Sequence, residues 1–242
     1  MKKLVIIPTY NERENVSRMI SKVMSLFGGY DLLIVDDGSP DGTAAIVRGR
    51  QEEFPGRVHL IERSGKLGLG TAYIAGFRWA LAHGYDLVYE MDCDFSHNPD
   101  DLERLTAAVT GGADVAVGSR YSRGVNVVNW PMSRLLMSYF ASVYVRTVTG
   151  IPVRDATAGF VCYSRRALET IDLDAIRMKG YGFQIEMKYT AWKLGLRLKE
   201  VSIIFVERRE GVSKMSGGIF REAFFGVLGL PFRTIRKAAG RQ

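Results

Sequence analysis

Over its first half the chain alternates short apolar runs with helix-like stretches. Lys3–Pro8, with Val5, Ile6 and Ile7 in succession, reads as a strand that ends at Thr9-Tyr10-Asn11-Glu12. Val16, Met19, Ile20 and Val23 recur at helical spacing, predicting a helix to about Phe27 that Gly28-Gly29 stops. Leu32–Val35 is the next strand, and Asp36–Thr43 a turn leading into a second helix. Val58–Ile61 is a third strand, and a helix runs from Gly65–Gly70 to near Gly84. Leu87 begins a fourth strand, an acidic helix starts near Asp100, and Asp114–Val117 is a further strand. Strands alternating with helices at this spacing predict an α/β fold, a Rossmann-like, mostly parallel sheet with helices on both faces.

Ligands of such sheets bind beyond the carboxyl ends of the strands. The ends of strands one, two and four all carry acidic side chains. The most informative stretch is Leu87–Pro99, LVYEMDCDFSHNP. Its apolar half stops where Asp92 and Asp94 begin, and side chains two apart on an extended backbone point the same way. Two adjacent carboxylates repel unless a cation lies between them. Mg²⁺ typically takes one or two carboxylates together with substrate phosphates. The alternative is a solvated acidic loop, but the position after a buried strand favours the metal.

Past Arg120 the alternation breaks down. Leu135–Val145 is uncharged between Arg134 and Arg146, and reads as a helix lying on a membrane or packed on the core. Ile219–Leu230 mixes aromatic, aliphatic and small residues and is followed by Pro231 and Arg233, Arg236, Lys237 and Arg241. An interfacial amphipathic segment has this composition, and so does a core-packing helix with a basic tail. Val201–Val206 is a late strand leading into the basic, glycine-punctuated loop Glu207–Gly217, which is expected to close over bound phosphates.

Charge sharpens this picture. Through Ser119 there are 12 Lys/Arg and 17 Asp/Glu, and from Arg120 onward 21 and 9, which gives −5 and +12 and the net +7 of the whole chain. The basic half should meet something anionic: nucleic acid, phosphate ligands or an acidic membrane surface. Nucleic acid is disfavoured because the basic residues are dispersed and form no recognised binding motif. At 242 residues one large domain fits better than two. No run reaches the ~18 apolar residues of a membrane span, and the short apolar run after Met1-Lys2-Lys3 is no signal peptide. Cys93 and Cys162 offer no disulfide framework, which suits a reducing compartment, and three scattered histidines argue against a multi-histidine metal site. Gly65-Lys66-Leu67-Gly68-Leu69-Gly70 is either a tight turn or a phosphate cradle at a helix N-terminus, with Lys66 toward the substrate side. It matches neither a Walker loop nor a dinucleotide fingerprint, which leaves a nicotinamide enzyme without its signature.

Several motifs occur together and in order: P-T-Y-N-E at Pro8–Glu12, V-D-D-G-S-P-D-G-T at Val35–Thr43, K-x-G-L-G at Lys66–Gly70 and D-x-D at Asp92–Asp94. G-S-R-Y at Gly118–Tyr121, G-Y-x-F-Q-x-E at Gly180–Glu186 and R-R-E-G-V-S-K at Arg208–Lys214 follow. The chain resembles the polyprenyl-phosphate (dolichyl-phosphate) mannose synthases, inverting glycosyltransferases of the GT-A fold, from Lys3 to about Leu230. The resemblance implies GDP-mannose as donor, a polyprenyl or dolichyl phosphate as acceptor, and Mg²⁺ or Mn²⁺ as cofactor. It implies guanosine contacts from Pro8, Tyr10, Glu12, Val35 and Asp37, with Lys66 on the donor side. Asp92, Cys93 through its backbone, Asp94 and Ser96 would hold metal and diphosphate. Ser96 stands where some relatives carry glutamine, so its contact with the metal would run through a bridging water. Arg120 and Arg134 would bind the acceptor phosphate, and Lys179, Arg208 and Lys214 would sit over the donor phosphates. Asp155, in D-A-T-A-G-F, is either a site-facing acid or a structural turn cap.

A phosphate monoester with a second pKa of about 6 is largely ionised at neutral pH and needs no strong general base. In-line attack on the anomeric carbon would invert it and give a β-linked product. The resemblance further implies a catalytic domain over 1–218 and an amphipathic, membrane-associating segment over 219–242. Attachment would be peripheral, on the cytoplasmic face of a membrane, or supplied by a partner. UDP-glucose is the rival donor, because the base pocket around Tyr10, Glu12 and Asp37 is not legible in sequence.

Overall fold

The computed structural model describes residues 1–207 and 217–238, and of 217–222 the backbone alone. The chain begins with β1 (Lys3–Thr9), α1 (Arg13–Met24), β2 (Tyr30–Asp36), α2 (Thr43–Glu53), β3 (Val58–Glu62) and α3 (Leu69–Ala82). β4 (Leu87–Glu90), α4 (Leu102–Thr110), β5 (Val115–Ser119), the short β6 (Val127–Val128) and α5 (Met132–Thr149) follow. β7 (Val161–Ser164), α6 (Arg165–Thr170), α7 (Gly182–Lys193), β8 (Leu198–Ser202), the short β9 (Phe205–Val206) and α8 (Gly217–Gly229) complete it.

The main sheet has the order β3-β2-β1-β4-β7-β5-β8. β1 pairs in parallel with β2 and β4, β2 with β3, and β5 with β8, while β7 runs antiparallel between β4 and β5. The sheet is therefore mostly parallel, as the alternation predicts. The middles of the central strands β1 and β2 are continuously apolar because both faces are covered. Val5, Ile7, Leu32 and Ile34 pack with Val16, Met19 and Ile20 of α1 and Leu102 and Leu105 of α4. Leu4, Ile6, Leu33 and Val35 point the other way, into Tyr73 and Phe77 of α3 and Phe183 and Met187 of α7. A third cluster lies under α5 and α8 and includes Val145, Ile151, Ile185, Val227 and Leu230.

Three expectations shift. The apolar run Val201–Val206 is two strands: β8 ends at Ser202, and β9 crosses to pair with β6 in a separate two-stranded sheet. That crossing lets the Phe205 ring meet His97 and Trp130 edge-on, at 5.3 and 5.2 Å between ring centres. α1 stops at Met24, leaving Phe27 fully in solvent. The uncharged run Leu135–Val145 is the middle of an eighteen-residue helix, α5, which takes in both flanking arginines and ends at Gly150 with φ +71°.

The segment after α7 is docked onto the body. Tyr144 of α5 stacks on Phe224 of α8 at 4.8 Å, and its hydroxyl donates to the Phe224 carbonyl at 2.9 Å. Arg233 reaches the buried Glu186, and Ala238 N–H donates to the Thr170 carbonyl at 3.0 Å. Among the described residues no helix is long and apolar enough to cross a membrane.

Candidate active site

The carboxyl ends of β1, β2 and β4 open on one side of the sheet. β4 stops at Glu90, Met91 N–H still donates to Ile6 O at 3.2 Å, and the chain then turns. The turn depends on Phe95, a non-glycine residue with φ +59°. Such left-handed residues concentrate at functional sites, where the surroundings hold them. Here the surroundings are specific. Asp94 Oδ1 accepts from the Ser96 backbone at 3.1 Å and from its hydroxyl at 2.6 Å. Asp92 N–H donates to His97 Nδ1 at 3.3 Å. His97 lies stacked on Phe160 at 5.0 Å and is buried. Burial pushes its imidazole down to about 4, with Asp94 opposing, so at neutral pH Nδ1 is an acceptor. The Asp92–Asp94 pair is thus presented by a turn closed at both ends.

The donor set suits a hard divalent cation. Asp92 and Asp94 supply two carboxylates, and among the described residues no group of three His, Cys, Asp or Glu could hold an ion. An ion here would complete its shell from diphosphate oxygens and water, as Mg²⁺ usually does. Ser96 is buried with its hydroxyl donated to Asp94, which makes it a support for that carboxylate.

Arg120 follows β5 and is buried against Asp155. Its Nε and backbone N–H donate to Asp155 Oδ2 at 2.7 and 2.9 Å, and Nη2 donates to Oδ1 at 2.6 Å and to Thr157 at 2.8 Å. Burial pushes the Asp155 carboxyl up, but the Arg120 guanidinium and its hydrogen bonds hold it below the ordinary carboxylate range. Asp155 is fully buried, so it acts on the open site through Arg120 and Thr157, which line the cavity and donate to it. Arg134, in the first turn of α5, lies over the Trp130 ring at 4.4 Å and pairs with Glu207.

Beneath this loop runs a buried polar chain that has no clear sequence signal. Lys188 Nζ donates to the Ala158 carbonyl at 2.7 Å, holding the loop that carries Asp155 and Thr157. Burial lowers Lys188 to about 8 and raises Glu90, the last residue of β4, to about 8. Each opposes the other's shift by its charge, and both are fully buried.

A cavity of about 730 Å³ opens from this centre. Asp92, Asp94, Arg120 and Arg134 line its polar end. Its walls are apolar: Met137, Phe140 and Tyr144 from α5, Ile185 from α7, and Phe224 and Val227 from α8. Trp130, Gln184 and His97 also line it, and neither Trp130 nor Gln184 belongs to any acid–base pattern readable in sequence.

The remaining candidates lie beside the cavity, at the ends of β1 and β2. Pro8 and Val35 are register partners, and Asp37 N–H donates to Thr9 O at 2.9 Å. Val35 has its side chain wholly in the core, so only its backbone can meet a nucleoside. Asp36 accepts from Thr9 and Ser39, and Asp41 from Thr43 and the Arg13 backbone, so both brace the turn. Asp37 instead faces Arg63, whose Nε donates to Oδ1 at 2.6 Å while Nη1 donates to Thr71 at 2.7 Å. Arg63, just past β3, carries no local sequence signal for this pairing. Glu12 accepts from Asn15 at 3.0 Å, and Lys66 Nζ lies 5.1 Å over the Tyr10 ring. The glycine loop is a packing device. Gly70 N–H donates to Lys179 O at 2.8 Å, and a Cβ on Gly70 would lie 2.8 Å from Phe183. The Gly70 amide is therefore not offered to phosphate. Cys93 is buried in the core, and Arg208 and Lys214 lie outside the described residues.

A mostly parallel sheet with a two-carboxylate turn at its carboxyl edge fits the GT-A fold of glycosyltransferases, and the chain's family match makes it one. The fold likeness extends to solved structures: glucosyl-3-phosphoglycerate synthase from Mycobacterium tuberculosis, crystallised with Mn²⁺, UDP and glucosyl-3-phosphoglycerate, superposes with a TM-score of 0.73. That match covers 96% of this chain and 80% of the other at 19% identity, which speaks for the fold alone. The chain belongs to glycosyl transferase family 2, whose model matches residues 4–172. It is 50% identical over 224 residues to a polyprenol monophosphomannose synthase of Mycolicibacterium smegmatis, covering 93% of this chain and 84% of that one. It is 49% identical over 227 residues to an undecaprenyl-phosphate mannosyltransferase of Micrococcus luteus, covering 94% and 93%.

Proposed function

We propose that the chain transfers mannose from GDP-mannose to a polyprenyl monophosphate, inverting the anomeric carbon, with a divalent cation at Asp92 and Asp94. The observation that carries this reading is the two-ended cavity. Arginines and carboxylates stand at one end, and apolar side chains of α5, α7 and α8 line the rest. An amphiphile with a phosphate head and a hydrocarbon tail has the matching polarity. The names of the two relatives at about half identity support the same chemistry.

In this reading the acceptor phosphate is its own nucleophile. Arg134 and Arg120 orient it through charge-assisted hydrogen bonds. Asp155 fixes the plane of Arg120, and neutral His97 holds the Asp92 backbone. When bound, the cation neutralises the charge that develops on the departing diphosphate. Lys66 and Lys179, with Arg208 and Lys214 by resemblance, serve the donor phosphates, and Asp37 serves the base.

Peripheral contact with the cytoplasmic face of a membrane belongs to the same proposal. Met132, Leu136, Tyr139, Phe140 and Val143 of α5 are exposed, as are Phe225, Leu228 and Phe232 at the C-terminal end. Such exposed apolar side chains on α5, which also walls the cavity, would let a lipid tail pass from bilayer to cavity. The 219–242 segment would then be the membrane-associating part of a catalytic unit spanning 1–218.

Incubation with labelled GDP-mannose or UDP-glucose, a short polyprenyl phosphate and Mg²⁺ or Mn²⁺ tests the reading. Label from GDP-mannose should enter the organic phase. Transfer from UDP-glucose alone, or from neither donor, would overturn it.

A further inference from the structure

The two arginines at the polar end of the cavity are held in different ways. Arg120 is buried and gives its Nε, Nη2 and backbone N–H to a fully buried carboxylate. Arg134 is partly exposed, with 30% of its side-chain surface in solvent, and its carboxylate partner is Glu207. Glu207 is itself 27% exposed, and its Oε1 takes the hydrogen bond from Arg134 Nη1. Its Oε2 is buried and has no hydrogen-bond partner among the described residues. Its backbone is fixed, with N–H donating to Val128 O at 3.0 Å just past β9. A firmly held main chain thus reaches a half-satisfied carboxylate toward Arg134, which of the two described cavity arginines is the one open to exchange.

We infer that Glu207 stands in for the acceptor's phosphate, occupying Arg134 until that phosphate displaces it, and so sets the acceptor specificity of the site. The inference rests on the proposed reading that the acceptor carries a phosphate head. A phosphate near neutral pH brings more charge and more acceptor oxygens than a carboxylate, and a guanidinium fork suits it. The exchange is cheap for the protein, since the pair is partly exposed and such pairs contribute little. Glu207 gains as well: a buried oxygen without a partner is costly, and release lets it reach water. An uncharged alcohol has no charge with which to displace Glu207, so Arg134 stays closed to it. Asp155 cannot play this part, because freeing Arg120 would strand two buried charges. The rival role for Glu207 is a permanent strut between α5 and β9, and the two roles predict opposite changes in acceptor affinity.

The test uses the full chain in detergent with GDP-mannose, metal and a short polyprenyl monophosphate, comparing wild type with Glu207→Gln. The acceptor KM should fall roughly five-fold, the scale set by a partly exposed ion pair, while the donor KM stays put. Loss of competition is a binding effect and should read out in KM. The double variant Glu207→Gln/Arg134→Ala should show no such fall relative to Arg134→Ala. If Glu207→Gln does not fold, Glu207→Asp, one methylene shorter and drawn back from Arg134, should lower the acceptor KM in the same direction. An acceptor KM that is unchanged or raised in folded variants identifies a strut and overturns the inference. Wild-type protein that glycosylates no polyprenyl phosphate from any nucleotide sugar overturns the proposed function itself and the inference with it, so the wild-type arm separates the two failures.

Discussion

Replacing Asp155 by Asn removes one charge and almost no volume from the best-buried ion pair among the described residues. Asp155 is fully buried and Arg120 is 9% exposed, and three hydrogen bonds of 2.6 to 2.9 Å join them. Breaking a buried pair by removing one partner typically costs 3–5 kcal/mol, because the survivor is left uncompensated. Arg120 lines the cavity and feels the charge of Asp92 as well, which places the expected loss near the lower end, about 3 kcal/mol. That lowers the folded-to-unfolded ratio roughly a hundred-fold. With a urea m-value of ~2–3 kcal/mol/M for a chain of this size, the midpoint should drop by about 1 M or slightly more. The acid limb of stability should change too. Asp155 has a depressed pKa in the folded state, so below the ordinary carboxylate value of 3.8 the unfolded chain binds a proton that the folded chain refuses. Stability from this group is complete above that value and drains away as pH falls through the folded pKa, and Asp155→Asn should flatten that limb. A control replaces both partners by apolar residues, Arg120→Met with Asp155→Leu, and should be milder than either single change. Equilibrium urea unfolding at several pH values measures all of this. A midpoint within experimental error of wild type for Asp155→Asn, or a double variant as costly as the sum of the singles, would refute the reasoning.

Asp94→Ala should lower turnover at least ~10²-fold, the scale of metal-assisted charge stabilisation, and EDTA should abolish wild-type activity; full activity of the variant in EDTA would sink the metal assignment. Arg63→Ala should raise the donor KM several-fold with little change in acceptor KM, because it releases Asp37 and the Thr71 end of the glycine loop together; initial rates at varied GDP-mannose check it. Leu136→Glu and Phe225→Glu, made at exposed positions outside the cavity wall, should cut co-sedimentation with anionic vesicles while leaving activity on a short acceptor in detergent. Wild-type sedimentation should weaken in high salt if basic flanks assist, and protein that remains in the supernatant with every lipid mixture removes the membrane proposal.

Much of the architecture was already present in the order of residues. The apolar runs of β1, β2 and β4 mark buried strands because parallel strands covered on both faces tolerate no polar alternation. The end of each run likewise fixed where acidic side chains emerge, so Asp92 and Asp94 could be placed at a strand's carboxyl edge without coordinates. Family membership was legible for the same reason, since short motifs in a fixed order survive as local turns. What needed the tertiary structure is every pairing between residues distant in the chain. Nothing local tells Asp155 that it will meet Arg120, 35 positions away, or Glu207 that it will meet Arg134 across 73. The insertion of β7 antiparallel between β4 and β5, and the split of Val201–Val206 into two strands of different sheets, are likewise products of long-range packing. The cavity depends on three helices of modest amphipathicity, and apolar composition alone does not say whether such a helix faces core, lipid or ligand. Packing decides that: α5 gives Val145 to the core, Tyr144 to the cavity and Phe140 to both cavity and solvent, because each turn of a helix samples every direction while its neighbours cover only some.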